Sequence, residues 1–254
     1  MTTPRHDVAL GVIHVENCMS TMSRMPDGYV HCVVTSPPYN VGVGYDVHAD
    51  RRPFDEHVDA LTATFKEAVR ILAPGGHLAI EIGDAGIAPC FPVSDLLVTR
   101  LHEVIPFGGR VIWDKSRFLA PTAWGSWCSA NKPRVRVRHE YVLIFRKDGD
   151  RRGKSDISRD EFMAATSSVW QIKPETAIPW HPAPFPEELA GRLVRLLTFP
   201  GERVYDPFTG SGTIPVVCER LGRRWIGSEL SPDYAAKATE RIRTVASTLG
   251  VAHA

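Results

Sequence analysis

The stretch VYDPFTGSGT, Val204 to Thr213, decides how this chain folds. It opens as a short strand and runs into a helical pattern, TIPVVCERLG. Between the two, Gly210 and Gly212 put no Cβ atoms in the way of a ligand approaching the backbone. The helix that follows offers unpaired N–H groups to an anion. A second strand, RRWIGSEL, comes about 20 residues later and ends in Glu229, placed like the acid that takes ribose hydroxyls in nucleotide-binding α/β units. The turn is not G-x-G-x-x-G and has no P-loop lysine. Taken alone, it also fits a tight turn beside a surface glutamate.

Outward from that turn, strands and helices alternate. VALGVIHV and YVHCVVT are short β-branched runs and read as strands. Phe54, Val58, Leu61, Phe65, Val69 and Leu72 step by three and four, an amphipathic helix that PGG at 74–76 stops. HLAIEIG is the next strand, SDLLVTRLHEVI a helix capped by Ser94, and RVIWD a strand. RVRVRHEYVLIF alternates and then turns wholly apolar, as a strand entering a core does. RKDGDRRGKSDISRDE, residues 146–161, is charged and contains glycine, and reads as a mobile loop. PEELAGRLVRLL is a helix. The last helix opens at SPDY, with Ser231 as N-cap and Pro232 at its first position. This alternation predicts an α/β fold with a parallel sheet covered on both faces.

The chain has 254 residues, 43% hydrophobic and 23% charged, within the range of a single α/β unit with a large core. A net charge of +1 excludes a polycation, so any contact with nucleic acid must come from local charge. Five scattered cysteines without C-x-x-C spacing exclude a disulfide framework and a zinc site. The ten histidines form no H-E-x-x-H pair, and no metal is expected. MTTPRHDVAL has no signal-peptide pattern and no apolar run approaches a membrane span. The expected compartment is the cytoplasm.

The other conspicuous stretch is TSPPYN, Thr35 to Asn40. Proline has no N–H, so Pro37 and Pro38 contribute carbonyls only, and they hold the backbone near extended geometry. The loop presents the Ser36 hydroxyl and the Pro37 carbonyl as acceptors, and Tyr39 as a flat face. That combination suits a nucleobase with an exocyclic NH2. The acceptors take the amine hydrogens, localise the nitrogen lone pair and stabilise the positive charge that develops there. A strand-ending turn is the plainer use of Ser-Pro-Pro.

Together, TSPPYN and DPFTGSGT resemble the S-adenosylmethionine-dependent amino-methyltransferases of DNA. Their order, with the proline loop first, resembles the permuted β class. FKEAVRILAPGGHLAIEIGD, VIWDK, RHEYVLIFRK, HPAPFPEEL, RRWIGSEL and DYAAKATERI agree with it along nearly the whole chain. The resemblance implies a Rossmann-like seven-stranded sheet with helices on both faces, in one methyltransferase domain over residues 1–254. It implies S-adenosyl-L-methionine as cofactor, with Asp206, Pro207, Phe208, Gly210, Ser211, Gly212 and Thr213 around its methionine part. Glu229 and Leu230 then stand at the ribose, and Pro182 and Phe185 form the far wall. Where the family often has Gly-Asp-Cys, this chain has ENC, which puts Asn17 and Cys18 at the adenine; an Asx turn is the other use of Asn17.

The resemblance implies double-stranded DNA as substrate, with the target base flipped out of the helix. A homodimer and a cognate restriction endonuclease are further partners it suggests. Lys132, Arg134, Arg136 and Arg138 are two apart, on one face of a strand, and suit phosphate contacts; protection of a sheet edge is the alternative. Trp124 and Trp127 suit a wedge between bases or a place in the core. Arg51 and Arg52 lie in a loop, residues 41–53, that could close over the substrate. Residues 114–139 and 146–161 are the other candidate DNA-contacting insertions. About thirty residues separate RHEYVLIFRK from HPAPFPEEL, too few for an independent recognition domain.

In this family a serine before Pro-Pro resembles the cytosine-N4 enzymes. Ser36, Pro37, Pro38 and Tyr39 are therefore expected to orient the N4 amine of a cytosine for in-line methyl transfer without a covalent enzyme intermediate. Adenine N6 is the nearest alternative, followed by an RNA or protein methyltransferase and a DNA-binding module without catalysis. Ring-carbon methylation needs a thiolate, for which APC at Cys90 and VEN at Glu16 stand in the wrong order.

Overall fold

The computed structural model describes residues 8–47, 51–84, 90–120, 122 and 124–250. Its strands are β1 (Ile13–Val15), β2 (Val30–Thr35), β3 (Leu72–Ile82), β4 (Phe107–Asp114), β5 (Trp124–Gly125), β6 (Pro133–Arg134), β7 (His139–Arg146), β8 (Val169–Trp170), β9 (Arg203–Asp206) and β10 (Arg224–Glu229). The helices are α1 (Cys18–Arg24), α2 (Phe54–Ile71), α3 (Val93–His102), α4 (Arg159–Ala165), α5 (Glu187–Leu197), α6 (Thr213–Arg220) and α7 (Pro232–Leu249).

Eight strands form one sheet in the order β1-β10-β9-β2-β3-β7-β4-β8, and β5 pairs with β6 in a separate hairpin. Only β7 runs against its neighbours in the large sheet; every other pair there is parallel. The strand beyond the expected seven is β8, two residues long and paired with Ile112 and Trp113 of β4. A strand that short carries no periodicity to read.

Alternate residues of each strand serve opposite faces, as a period of two requires. Val33, Leu78, Ile80 and Ile82 pack with Met22, Leu61, Phe65 and Leu97, from α1, α2 and α3. Cys32, Val34 and Ala79 pack on the other face with Leu189, Leu193, Val216 and Ile242, from α5, α6 and α7. The chain leaves β2 towards β3 and leaves β9 towards β10, on the other side. The order reverses between β2 and β9, the place where open α/β sheets bind ligands.

Several local expectations are corrected. The helix α2 does stop before PGG, but β3 runs straight through those residues, with Gly75 at φ 72° and a register shift against β2 between Val30 and Cys32. Ser94 does not cap α3. Pro92 is the capping residue without a side-chain bond, and the Ser94 N–H donates instead to Asp84 at 3.1 Å. The run RVRVR is not one strand: pairing covers residues 133–134 and resumes at His139.

Residues 146–161 are not a loose loop. The Arg151 guanidinium pairs with Glu202 at 2.7 Å and reaches His77 and the Leu197 carbonyl. Arg223, fully buried, pairs with Asp156, and Ser158 and Glu161 form a capping box for α4. Arg151, Asp156 and Glu161 thus spend their charges on partners elsewhere in the chain. Moreover, β7 ends at Arg146 on the edge opposite the ends of β2 and β9, so this segment does not border the ligand edge.

Candidate active site

The ends of β2 and β9 stand side by side, with Cys32 opposite Val204 and Val33 opposite Tyr205. The proline loop and the glycine turn therefore leave the sheet together. Thr35 ties them, donating its hydroxyl to Asp206 at 2.7 Å. Both open onto one cavity of about 580 Å³, a size typical of small-molecule sites. Every expected cofactor residue except Gly212 lines it, as do Ser36, Pro37, Pro38, Tyr39 and Arg52.

Gly210 and Gly212 sit at φ 48° and 77°, the left-handed region that favours glycine. A Cβ on Gly210 would lie 2.7 Å from the His181 ring, and one on Gly212 would crowd Ala238 of α7. Glu229 organises the turn from the neighbouring strand. One carboxylate oxygen accepts the Gly210 N–H at 2.9 Å and the other accepts the Ser231 N–H at 2.9 Å. Each oxygen keeps a lone pair for a ligand hydroxyl. With apolar Pro182, Pro207 and Phe185 on the wall, the cradle fits a nucleoside cofactor with an amino-acid tail. His181, which pattern reading passed over, is half-buried; desolvation lowers its pKa to about 4, so it stands over the turn as a neutral ring.

Asp206 is buried, and burial pushes its carboxyl up to about 7, against the pull of the Thr35 hydroxyl and the Phe208 N–H. The folded protein then holds this proton more tightly than the unfolded chain does. Stability from this group is full below the unfolded carboxylate pKa and is lost as pH rises towards 7, by roughly 4 kcal/mol at most. Urea unfolding from about pH 4 to pH 7 is expected to give a slope of stability against pH that is more positive in Asp206→Asn than in wild type. Identical slopes would show that Asp206 holds no such proton.

On the other side of the cavity, the Tyr39 hydroxyl donates to Glu81 at 2.6 Å. Its ring packs against the core and so closely over Gly83 that a Cβ there would meet it at 3.0 Å. Glu81 is only 2% exposed, and its Oε1 has no hydrogen-bond partner among the described residues. Burial, then the charge of Glu140, raises the Glu81 pKa well above the carboxylate range, while the Tyr39 and Ser36 hydroxyls pull it back. Glu140 pairs with Lys115, whose ammonium lies 4.8 Å from the centre of the Trp113 ring. These four side chains, from β3, β4, β7 and the segment after β4, were not anticipated. The one local signal is a glutamate inside the apolar strand HLAIEIG.

Other expected residues fall into place differently. Asn17 lines the cavity and also caps α1 in an Asx geometry, its oxygen accepting the Met19 N–H at 2.9 Å. Cys18 beside it is buried, which raises its thiol to about 11. Arg51 packs against Gly42 and does not line the cavity. The side chain of Trp124 lies outside what the structure describes. Trp127, Lys132 and Arg134 are exposed and stand away from the cavity wall. Cys90 is exposed and not on the wall, and Glu16 is bound to Thr21 and Arg24, which removes the ring-carbon reading.

Comparison with known proteins agrees with this site. The N6_N4_Mtase family model, described as DNA methylase, matches residues 30–240. The chain is 31% identical to the type II methyltransferase M.MjaVI of Methanocaldococcus jannaschii over 60% of this chain and 81% of that one. It is 26% identical to M.XycI of Xanthomonas campestris pv. cyanopsidis over 89% and 86%. Among solved structures, a protein of Thermus thermophilus described as a putative DNA modification methylase, complexed with S-adenosyl-L-methionine, superposes with a TM-score of 0.74 at 30% identity, covering 92% of this chain and 94% of that one. The PvuII cytosine-N4-specific methyltransferase shares the fold, with a TM-score of 0.71 at 22% identity, over 97% and 94%. No helix among the described residues is long and apolar enough to cross a membrane. The chain belongs to the N6_N4_Mtase family of DNA methylases and is an S-adenosyl-L-methionine-dependent amino-methyltransferase.

Proposed function

We propose that the protein methylates the exocyclic N4 of a cytosine flipped out of a specific DNA sequence. The observation that carries this reading is Ser36, which lines the cavity beside Pro37 and whose hydroxyl acts on buried Glu81 together with that of half-buried Tyr39. The cofactor supplies the methyl group, positively activated on sulfur. The Ser36 hydroxyl and the Pro37 carbonyl accept the two amine hydrogens and turn the nitrogen lone pair out of the ring plane. With the cofactor held by Glu229 and the glycine turn, that pair would bond to the methyl carbon while the C–S bond breaks and leaves its electrons on sulfur. The nitrogen then sheds one proton through Ser36 towards the buried Glu81 carboxyl in its ionised form, which the Ser36 and Tyr39 hydroxyls favour. Tyr39, anchored at its hydroxyl, holds its ring fixed beside the base, and Glu229 with the glycine turn holds the donor in line. No enzyme nucleophile takes part.

Cytosine is preferred over adenine because a serine hydroxyl both donates and accepts, and so adapts to the ring nitrogen beside the amine. Its place before Pro-Pro also resembles the cytosine-N4 enzymes. The decisive measurement is to methylate unmodified genomic DNA with the purified protein, digest it to nucleosides and weigh them. N4-methylcytosine is expected. N6-methyladenine as sole product overturns the choice of base, and transfer to RNA or protein instead of DNA overturns the choice of substrate.

A further inference from the structure

Residues 115–138 join β4 to β7 and hold six of the chain's 30 lysines and arginines but none of its 29 aspartates and glutamates, so the rest of the chain is net acidic. The strand directions place this segment. β7 is antiparallel to β3, with Tyr141 opposite Ile82, and β4 ends at Asp114 opposite His139. The segment therefore leaves the sheet on the edge that carries Ser36, and Lys115 and Glu140 at its root line the cavity.

Its base and its tip are built differently. At the base the charges are used internally: Arg138 donates to the Ser116 and Leu119 carbonyls and Arg136 to that of Ala120. At the tip, β5 and β6 form a hairpin closed by hydrogen bonds of the Ser126 hydroxyl to the Ser129 carbonyl and the Lys132 N–H, 2.8 and 3.0 Å. This ordered turn holds Trp127 outward, 77% exposed. Lys132 and Arg134 are exposed beside it and form no ion pair among the described residues. A folded turn that displays a bare indole flanked by cations without an ion pair among the described residues, on an arm whose root lines the cavity, matches a stacked polyanion. The indole offers a face to bases and the cations offer charge to phosphates.

We propose that this hairpin is the element that enters duplex DNA. Trp127 fills the gap left in the base stack by the expelled target, and Lys132 and Arg134 clamp the flanking phosphates. This rests on DNA being the substrate. It assigns engagement of the duplex to an arm within the sheet rather than to a separate domain, and it leaves residues 146–161 without a part in it.

The test uses the full chain with cofactor, binding a mixed-sequence DNA duplex of about 30 base pairs over a range of salt. The double variant Lys132→Ala/Arg134→Ala is expected to lower the slope of log affinity against log salt by about two. Trp127→Ala is expected to leave the slope unchanged and weaken binding about tenfold. Calorimetry with the cofactor, unchanged in both, shows that they fold. An unaltered slope and affinity in both variants, with wild type binding DNA, overturns the arm but not the enzyme's substrate. Losses seen only on an RNA duplex or on phosphatidylserine vesicles, or a change from dimer to monomer with DNA affinity intact, assign the surface to another partner and overturn it as well. Wild type that binds no duplex and methylates no DNA overturns the substrate reading and the arm together.

Discussion

Ser36→Ala is expected to lower the rate of methyl transfer by about a hundredfold to a thousandfold while changing cofactor affinity by less than about twofold. Removing one preorganised group from around a developing charge has a cost of that size. Ser36 follows β2 and Glu229 ends β10, with β9 between those strands, so the substitution leaves the Glu229 carboxylate and its Gly210 bond untouched. The alanine also leaves Glu81 without one of the two hydroxyls that favour its ionised form. Its proton should then be held more firmly, and the residual activity should need a higher pH than wild type does. Single-turnover transfer of tritiated methyl groups across a pH series measures both effects. Ser36→Thr, which keeps the hydroxyl, should recover part of the rate. A Ser36→Ala enzyme at wild-type speed would remove the hydroxyl from the chemistry and leave the Pro37 carbonyl as the acceptor.

The second large effect is expected at Glu229, in binding rather than in rate. Its carboxylate accepts the Gly210 and Ser231 N–H groups, both at 2.9 Å. Those bonds set the glycine turn against the start of α7, where the Ser231 hydroxyl in turn accepts the Tyr234 N–H and donates to Asp46. Glu229→Gln puts an NH2 where one of those backbone donors points, and it is expected to weaken the charge-assisted bonds proposed between this carboxylate and the cofactor's ribose. At about 1.5–3 kcal/mol for each hydrogen bond to a charged group, a loss of cofactor affinity of about a hundredfold or more is expected, by calorimetry. The rate at saturating cofactor should fall far less than in Ser36→Ala. A Glu229→Gln protein that binds the cofactor as wild type does would place the ribose elsewhere in the cavity.

The two variants divide the cavity as the fold divides it. One half hangs from β2 and the proline loop, the other from β9, β10 and the glycine turn, and the Thr35 hydroxyl on Asp206 is the link between them. Burial raises the Asp206 carboxyl at that link to about 7, so a positively charged cofactor, which favours the ionised form, is expected to bind more tightly as pH rises towards that value.

Much of this was written in the sequence. Glycine and proline restrict the backbone wherever they stand, so GSG after a strand and PP after another announced two turns without knowledge of their surroundings. Strand composition and a hydrophobic period near four are likewise local, and they marked β2 and α2 to within a residue or two, while the Ser231 cap and Pro232 marked the start of α7. Charged and polar residues could not be read this way, because what a charge does depends on what lies across from it. RKDGDRRGKSDISRDE had the composition of a mobile loop, yet Arg151 and Asp156 find Glu202 and Arg223, about fifty and sixty-seven positions later. RVRVR had the alternation of a strand, yet two of its arginines fold back onto carbonyls. Glu81 was one carboxylate in an apolar strand. Only the pairing of β3 with β7, which sets Glu81 opposite Val142 and brings Glu140 and Lys115 alongside, gives it a raised pKa and a place in the chemistry. Local geometry was therefore determined by the sequence alone, whereas the protonation and partners of the charged groups were decided by tertiary structure, since Coulomb and desolvation energies depend on distance and burial, not on position along the chain.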